Sequence, residues 1–170
     1  MADITFKTNK GYFIYRAGAI IVDNGRVLMM RNENHSYYYS IGGRVNFGET
    51  AEEAVVREAF EETNIRFEVE RLVFIHENFA VMDWLEDDDV PVHEIGFYFL
   101  MKPCENIADI KCLSLGADGG VESLHWLLID ELPKYHLYPE FFKSELRELK
   151  DGVRRFVTRD GETLLLGGVM

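Results

Sequence analysis

At 170 residues with 47% apolar content, the chain has the length and composition of one domain with a sizeable core. Its formal charge of −12 excludes a general grip on nucleic-acid backbones, which needs basic surface, and no uninterrupted apolar stretch reaches the length of a membrane span. Residues 1–7 lack the basic-then-apolar pattern of a signal peptide, and Cys104 and Cys112 read as free thiols of a reducing compartment, so a cytoplasmic protein is expected.

Residues 13–22 are rich in β-branched and apolar side chains and read as a strand. The turn signal Asp23, Asn24, Gly25 joins it to a second strand at 26–31. Residues 37–41 read as a short extended piece leading into Gly42 and Gly43, which with Gly48 permit a tight backbone. A helix is expected over 51–63, because Thr50 and Glu53 have the spacing of a capping box and Asn64 tolerates the left-handed conformation that ends a helix. Long strands are expected at 66–80 and 92–101, on either side of the polar stretch 83–91. A further strand at 124–129 precedes a short helix at 130–135 and a longer one at 139–149, with Phe141, Phe142, Leu146 and Leu149 facing inward. Residues 152–166 suit a hairpin around Asp160 and Gly161. This mixture predicts an α/β chain, residues 1–170 forming a single domain with a mixed sheet covered by helices on both faces.

Within the 51–63 helix, three carboxylates crowd the last turns. With Glu58 at zero, Glu62 lies about 40° to one side and Glu61 about 60° to the other. They share a face beside the helix C-terminus, where the macrodipole also disfavours negative charge. A hard divalent cation is the simplest group to resolve that arrangement. Ala51, Ala54 and Val55 hold the same sector one or two turns earlier, so the sector changes from apolar to acidic along its length. Val56, Ala59 and Phe60 offer a second apolar stripe. Arg57 precedes Glu61 by four residues and can pair with it.

Residues 43–65 resemble the Nudix box, Gly-x5-Glu-x7-Arg-Glu-U-x-Glu-Glu-x-Gly-U, where U is a bulky aliphatic residue. Gly43, Glu49, Arg57, Glu58, Glu61, Glu62 and Ile65 hold their positions in that spacing. Asn64 stands for the closing glycine, Ala59 for an aliphatic residue, and Ile41 where many members carry proline. The likeness extends to the strand before the box, to residues 93–99, and to Trp126, Asp130, Glu131 and Leu132. It implies a Nudix-type α/β/α sandwich that cuts the pyrophosphate of a nucleoside diphosphate linked to another moiety and releases a nucleoside monophosphate. It also implies Mg2+, with Mn2+ as a substitute, held by Glu58, Glu61 and Glu62, with the Gly42 carbonyl and Glu49 in or near the same shell. Glu58 would be the general base and Arg57 would orient the glutamates. A further carboxylate from outside the box would be Glu122 or, second, Glu94; both are equally compatible with ordinary surface glutamates. Family habit suggests a homodimer.

Other features say less. The acidic run at 86–89 reads as a solvated loop. Tyr37, Tyr38, Tyr39, Phe79 and Trp84 could stack on a base, but packing accounts for at least half of them. The five histidines have no zinc-like spacing, and of these His93 is the one that could line a pocket. No proline typical of ADP-sugar members stands near Ala80, no dinucleoside-polyphosphate tyrosine near Val81 or Met82, and no coenzyme A pattern precedes the box. These absences put a nucleoside triphosphate or modified nucleotide slightly ahead of a sugar-linked diphosphate. Two other classes stay open: a catalytically silent Nudix domain that binds a nucleotide, and an acidic metal-binding interaction module.

Overall fold

The computed structural model describes residues 2–81, 90–105, 107, 110, 113–116 and 119–169; Trp84, the acidic run at 86–89 and Cys112 lie outside them. The chain begins with β1 (Thr5–Thr8), β2 (Gly11–Ile20), β3 (Val22–Asp23), β4 (Arg26–Asn32), β5 (Tyr38–Ser40) and β6 (Gly42–Arg44), then α1 (Ala51–Thr63). Next come β7 (Val69–Val81), β8 (Pro91–Met101), β9 (Leu113–Leu115) and β10 (Val121–Leu128). A 3-10 helix (Ile129–Lys134), β11 (Leu137–Tyr138), α2 (Phe142–Glu145), β12 (Val153–Arg159) and β13 (Glu162–Val169) complete it.

The strands form two mixed sheets. One runs β1-β2-β8-β7-β12-β13, with β6 also on β2, and its β2–β8 and β7–β12 pairs are parallel. The other runs β11-β5-β4-β10-β9, with β3 on β4, and its β11–β5 pair is parallel. A mixed architecture was expected, but as one sheet; the division begins at the first turn. Asn24 and Gly25 take positive φ, as a tight hairpin requires, yet the hairpin ladder is just Val22–Val27 and Asp23–Arg26. Beyond it β4 pairs with β5 and β10, while β2 pairs with β1, β6 and β8.

Alternation along β2 explains the layering. Ala17, Ala19 and Ile21 face α1, joining Ala54, Val55, Ala59, Phe67 and Phe99 in one core. Ile20 faces the opposite side, in a core with Phe74, Tyr98, Phe141, Phe142 and Phe156. Helical segments therefore cover both faces of the larger sheet. Two expectations need correction. Phe60 is 36% exposed, with Arg66 stacked over its ring, so of the stripe expected at Val56, Ala59 and Phe60 the first two pack inward, beside Ala54, Val55 and Thr63. The helix expected over 139–149 is a single turn, Phe142–Glu145, because the residues before it close tighter turns, the Phe142 amide on the Pro139 carbonyl and the Lys143 amide on the Glu140 carbonyl. Arg147 donates to the Asp130 carbonyl, and the Lys150 carbonyl accepts from Arg71.

Candidate active site

Both ends of α1 are set by local chemistry. The Thr50 hydroxyl accepts from the Glu53 amide while the Glu53 carboxylate accepts from the Thr50 amide, and Asn64 ends the helix at φ 58°. This fixes where the acidic turns fall. Glu58 lies over β6, against Gly43, where a Cβ would sit 2.4 Å from the carboxylate. Glycine at that position is what lets the carboxylate approach the strand. Gly42 has φ 130°, and a Cβ there would meet the Ala17 carbonyl at 2.2 Å; its amide donates to Glu62 Oε2 at 3.0 Å.

Arg57 is the hub of the box. Its Nε and Nη2 donate to the two oxygens of Glu49 at 2.8 and 2.9 Å, Nη1 donates to Glu58 at 2.7 Å and to Glu61 at 3.3 Å, and Nη2 also reaches the Arg44 carbonyl at 3.0 Å. The expected Arg57–Glu61 pair is thus the longest of its contacts. Arg57 holds the Glu49 carboxyl below the ordinary range. Burial pushes Glu58 up despite Arg57, and pushes Glu62 up to about 8. Two further effects act on Glu62: Arg16 and the Gly42 amide oppose the rise, while Glu58 and Glu122 add to it.

Glu62 lines a cleft of about 1550 Å3, together with Arg16, Tyr39, Gly42, Glu94 and Glu122. The structure therefore brings both candidate outside carboxylates into one space with a box glutamate, although they come from different sheets. Glu122, on β10, accepts from the Tyr39 hydroxyl at 2.6 Å, an interaction that joins burial in pushing the Tyr39 hydroxyl up. Glu94, on β8, is 7% exposed, and burial raises its carboxyl against the opposing charges of Arg16 and Arg44. Glu49, Glu58 and Glu61 are held around Arg57, and among the described residues no three His, Cys, Asp or Glu side chains are gathered as metal ligands. Tyr37, Phe79 and His93 also line the cleft, whereas Tyr38 packs against the larger aromatic core.

Sequence reasoning missed Arg16. Burial works against its charge, but Glu94, Tyr98, Glu62 and Glu58 outweigh that and keep it protonated, and Nη2 donates to the Ser40 carbonyl at 3.0 Å. A lone arginine within the apolar run of β2 was the available signal.

A mixed α/β fold with an acidic helix end opening on a cleft defines a class, and the comparisons give it a family. A family model of the NUDIX domain matches residues 13–148: the chain belongs to the Nudix family. A MutT-like protein of Streptomyces ambofaciens is 37% identical over 62 residues, covering 36% of this chain and 40% of that protein. The chain thus spans about two fifths (40%) of the length of the curated relative it matches. Among solved structures, a MutT mutator protein from Bacillus halodurans is similar with a TM-score of 0.62 at 23% identity, covering 91% of this chain and 95% of that one. An ADP-ribose pyrophosphatase from Streptococcus suis gives 0.53 at 16% identity, covering 84% and 98%. At these identities the two structures show the fold. No helix among the described residues is long and apolar enough to cross a membrane.

Proposed function

We propose that residues 1–170 act as one Nudix domain hydrolysing the pyrophosphate of a nucleoside diphosphate linked to another moiety, releasing a nucleoside monophosphate. The observation that carries this reading is the position of Glu62. It sits at the C-terminal end of α1, is bonded to the Gly42 amide, and lines the same cleft as Glu122 and Arg16. Cutting a phosphoric anhydride requires charge neutralised on phosphate oxygens and a water held in line with the leaving group.

The chemistry of the donors suits a hard divalent cation, Mg2+ or Mn2+: Glu58, Glu61, Glu62, Glu49, Glu122 and the Gly42 carbonyl all offer oxygen. A carboxyl raised to about 8 by burial and like charge is one that a divalent cation would ionise. When bound, the ion supplies charge neutralisation and orients water. Arg57 holds Glu49 and Glu58 in place and does not reach substrate. Glu58 takes the proton from the attacking water, its basicity raised by burial. A second reading gives that proton to Glu62, favoured by its higher position, about 8, and its place on the cleft wall.

The protein is incubated with Mg2+ and a panel of nucleotides, and monophosphate products are measured. Turnover lost in Glu61→Gln and Glu62→Gln supports the reading; no product from any substrate, or unchanged turnover in both variants, sinks it. Nucleotide binding without turnover would indicate a silent domain, and metal affinity that nucleotides leave unchanged an interaction module.

A further inference from the structure

One end of the cleft carries polar groups that pyrophosphate chemistry does not use. Strand register lays them out on the sheet floor. Glu94, Asn78, Thr158 and Thr163 are successive partners across β8, β7, β12 and β13, and His76 lies two residues before Asn78, on the same side of β7. His76, Asn78, Thr158 and Thr163 all line the cleft.

His76 is 4% exposed, and burial pushes it down to about 4, so its imidazole is neutral. Its Nε2 lies 2.7 Å from Thr158 Oγ1, which lies 2.8 Å from Thr163 Oγ1. Nδ1 is buried and has no hydrogen-bond partner among the described residues. Nothing on that side fixes the tautomer, so the relay from Nε2 through the two hydroxyls can point its protons either way. It offers a donor or an acceptor according to what it meets. A ligand hydroxyl, itself both, satisfies such a chain without bringing charge. A phosphate suits His76, Asn78, Thr158 and Thr163 poorly, since none of the four is cationic; the cleft's cations Lys10, Arg16 and Arg44 come from the β1–β2 turn, β2 and β6. Stacking partners for a base, Tyr37 and Tyr39, come from the β5 region of the other sheet.

We propose that the His76–Thr158–Thr163 end of the cleft binds the uncharged, hydroxylated group attached to the diphosphate, a sugar ring. The substrate is then a nucleoside diphosphate carrying a sugar, which reverses the slight preference for a nucleoside triphosphate drawn from the sequence. The inference rests on reading this cleft as the pyrophosphate site. Thr158 and Thr163 lie outside residues 13–148, the part matched to the family.

The test is calorimetric titration, with Mg2+, of two methylene-bridged analogues that cannot be cleaved: that of ADP-ribose, and that of ADP β-methyl ester, which has the same charge and no sugar. Wild type should bind the sugar-bearing analogue about tenfold more tightly, the worth of one or two hydrogen bonds. Thr158→Val and Thr163→Val, near-isosteric and suited to strands, should bring that ratio close to one, with thermal melting confirming the fold. A ratio near one in wild type, or a tenfold ratio surviving in both variants, overturns the proposal. Turnover of the nucleotide panel, ADP-ribose included, is measured separately: a preserved ratio with no substrate cleaved sinks the pyrophosphatase reading and leaves the subsite standing.

Discussion

The two ends of α1 use the same residue type to opposite effect. At the N-terminus Glu52 and Glu53 lie where the helix dipole favours negative charge, and Glu53 closes a reciprocal pair with Thr50. At the C-terminus no basic residue occupies the last turn, and Glu58, Glu61 and Glu62 crowd together against the dipole. Burial raises two of these three carboxyls, and the nearest guanidinium on the helix, Arg57, is spent largely on Glu49. One end is arranged for folding. The other carries stress that folding alone does not need, and a helix whose charges were there for stability would show two similar ends.

The largest effect expected from this contrast is on turnover. Glu62→Gln should lower it roughly 100-fold or more, the scale of a lost charge-stabilising ligand, while Glu53→Gln should stay within about twofold. Equal losses at the two ends would break the comparison. The same residue governs stability with pH. Its folded carboxyl titrates near 8 rather than 4.5, so between those values the folded chain holds a proton that the unfolded chain releases. Stability of the metal-free protein is then fullest below pH 4.5 on this account and falls as pH rises through 8, by on the order of 5 kcal/mol. Urea melts at successive pH values should show that fall, and Glu62→Gln should flatten it.

Arg57→Gln comes next. It frees Glu49 and Glu58 together, so turnover should drop about 10- to 100-fold and urea stability by about 2 kcal/mol. Thr50→Ala removes the N-terminal cap and should cost about 1 kcal/mol with turnover within about twofold. Smallest is the stop signal. Asn64→Gly, which suits the left-handed conformation, should change the melting free energy by about 0.5 kcal/mol or less.

What could be read from the sequence follows from how local each feature is. The capping box, the Asn64 stop, the turns at Asn24–Gly25 and Asp160–Gly161, and the face shared by Glu58, Glu61 and Glu62 depend on residues a few positions apart, and each had a signal. The site's long-range half had only indirect ones: the likeness that pointed to Glu122 and Glu94, and the lone arginine of β2. Tyr39 reaches Glu122 across 83 positions, and Arg16 meets Glu94 and Glu62 because β2 pairs with β8 and β6, which periodicity cannot rank among alternatives. The segment at 139–149 erred in the other direction. Its pattern was helical, but Phe142 and Lys143 bond three residues back, to Pro139 and Glu140, and one α-helical turn follows.

The parallel pairing of β12 with β7 has a consequence for how the cleft comes into being. β7 ends at Val81 and its parallel neighbour begins at Val153, so during synthesis that edge waits with open amides and carbonyls while the intervening chain is made. The acidic helix and β2 can pack early, since both lie within the first 63 residues. Thr158 and Thr163 arrive with the last described hairpin. A nascent chain therefore assembles the box before the floor, and in that interval it has its carboxylates but not the hydroxyl end of the cleft.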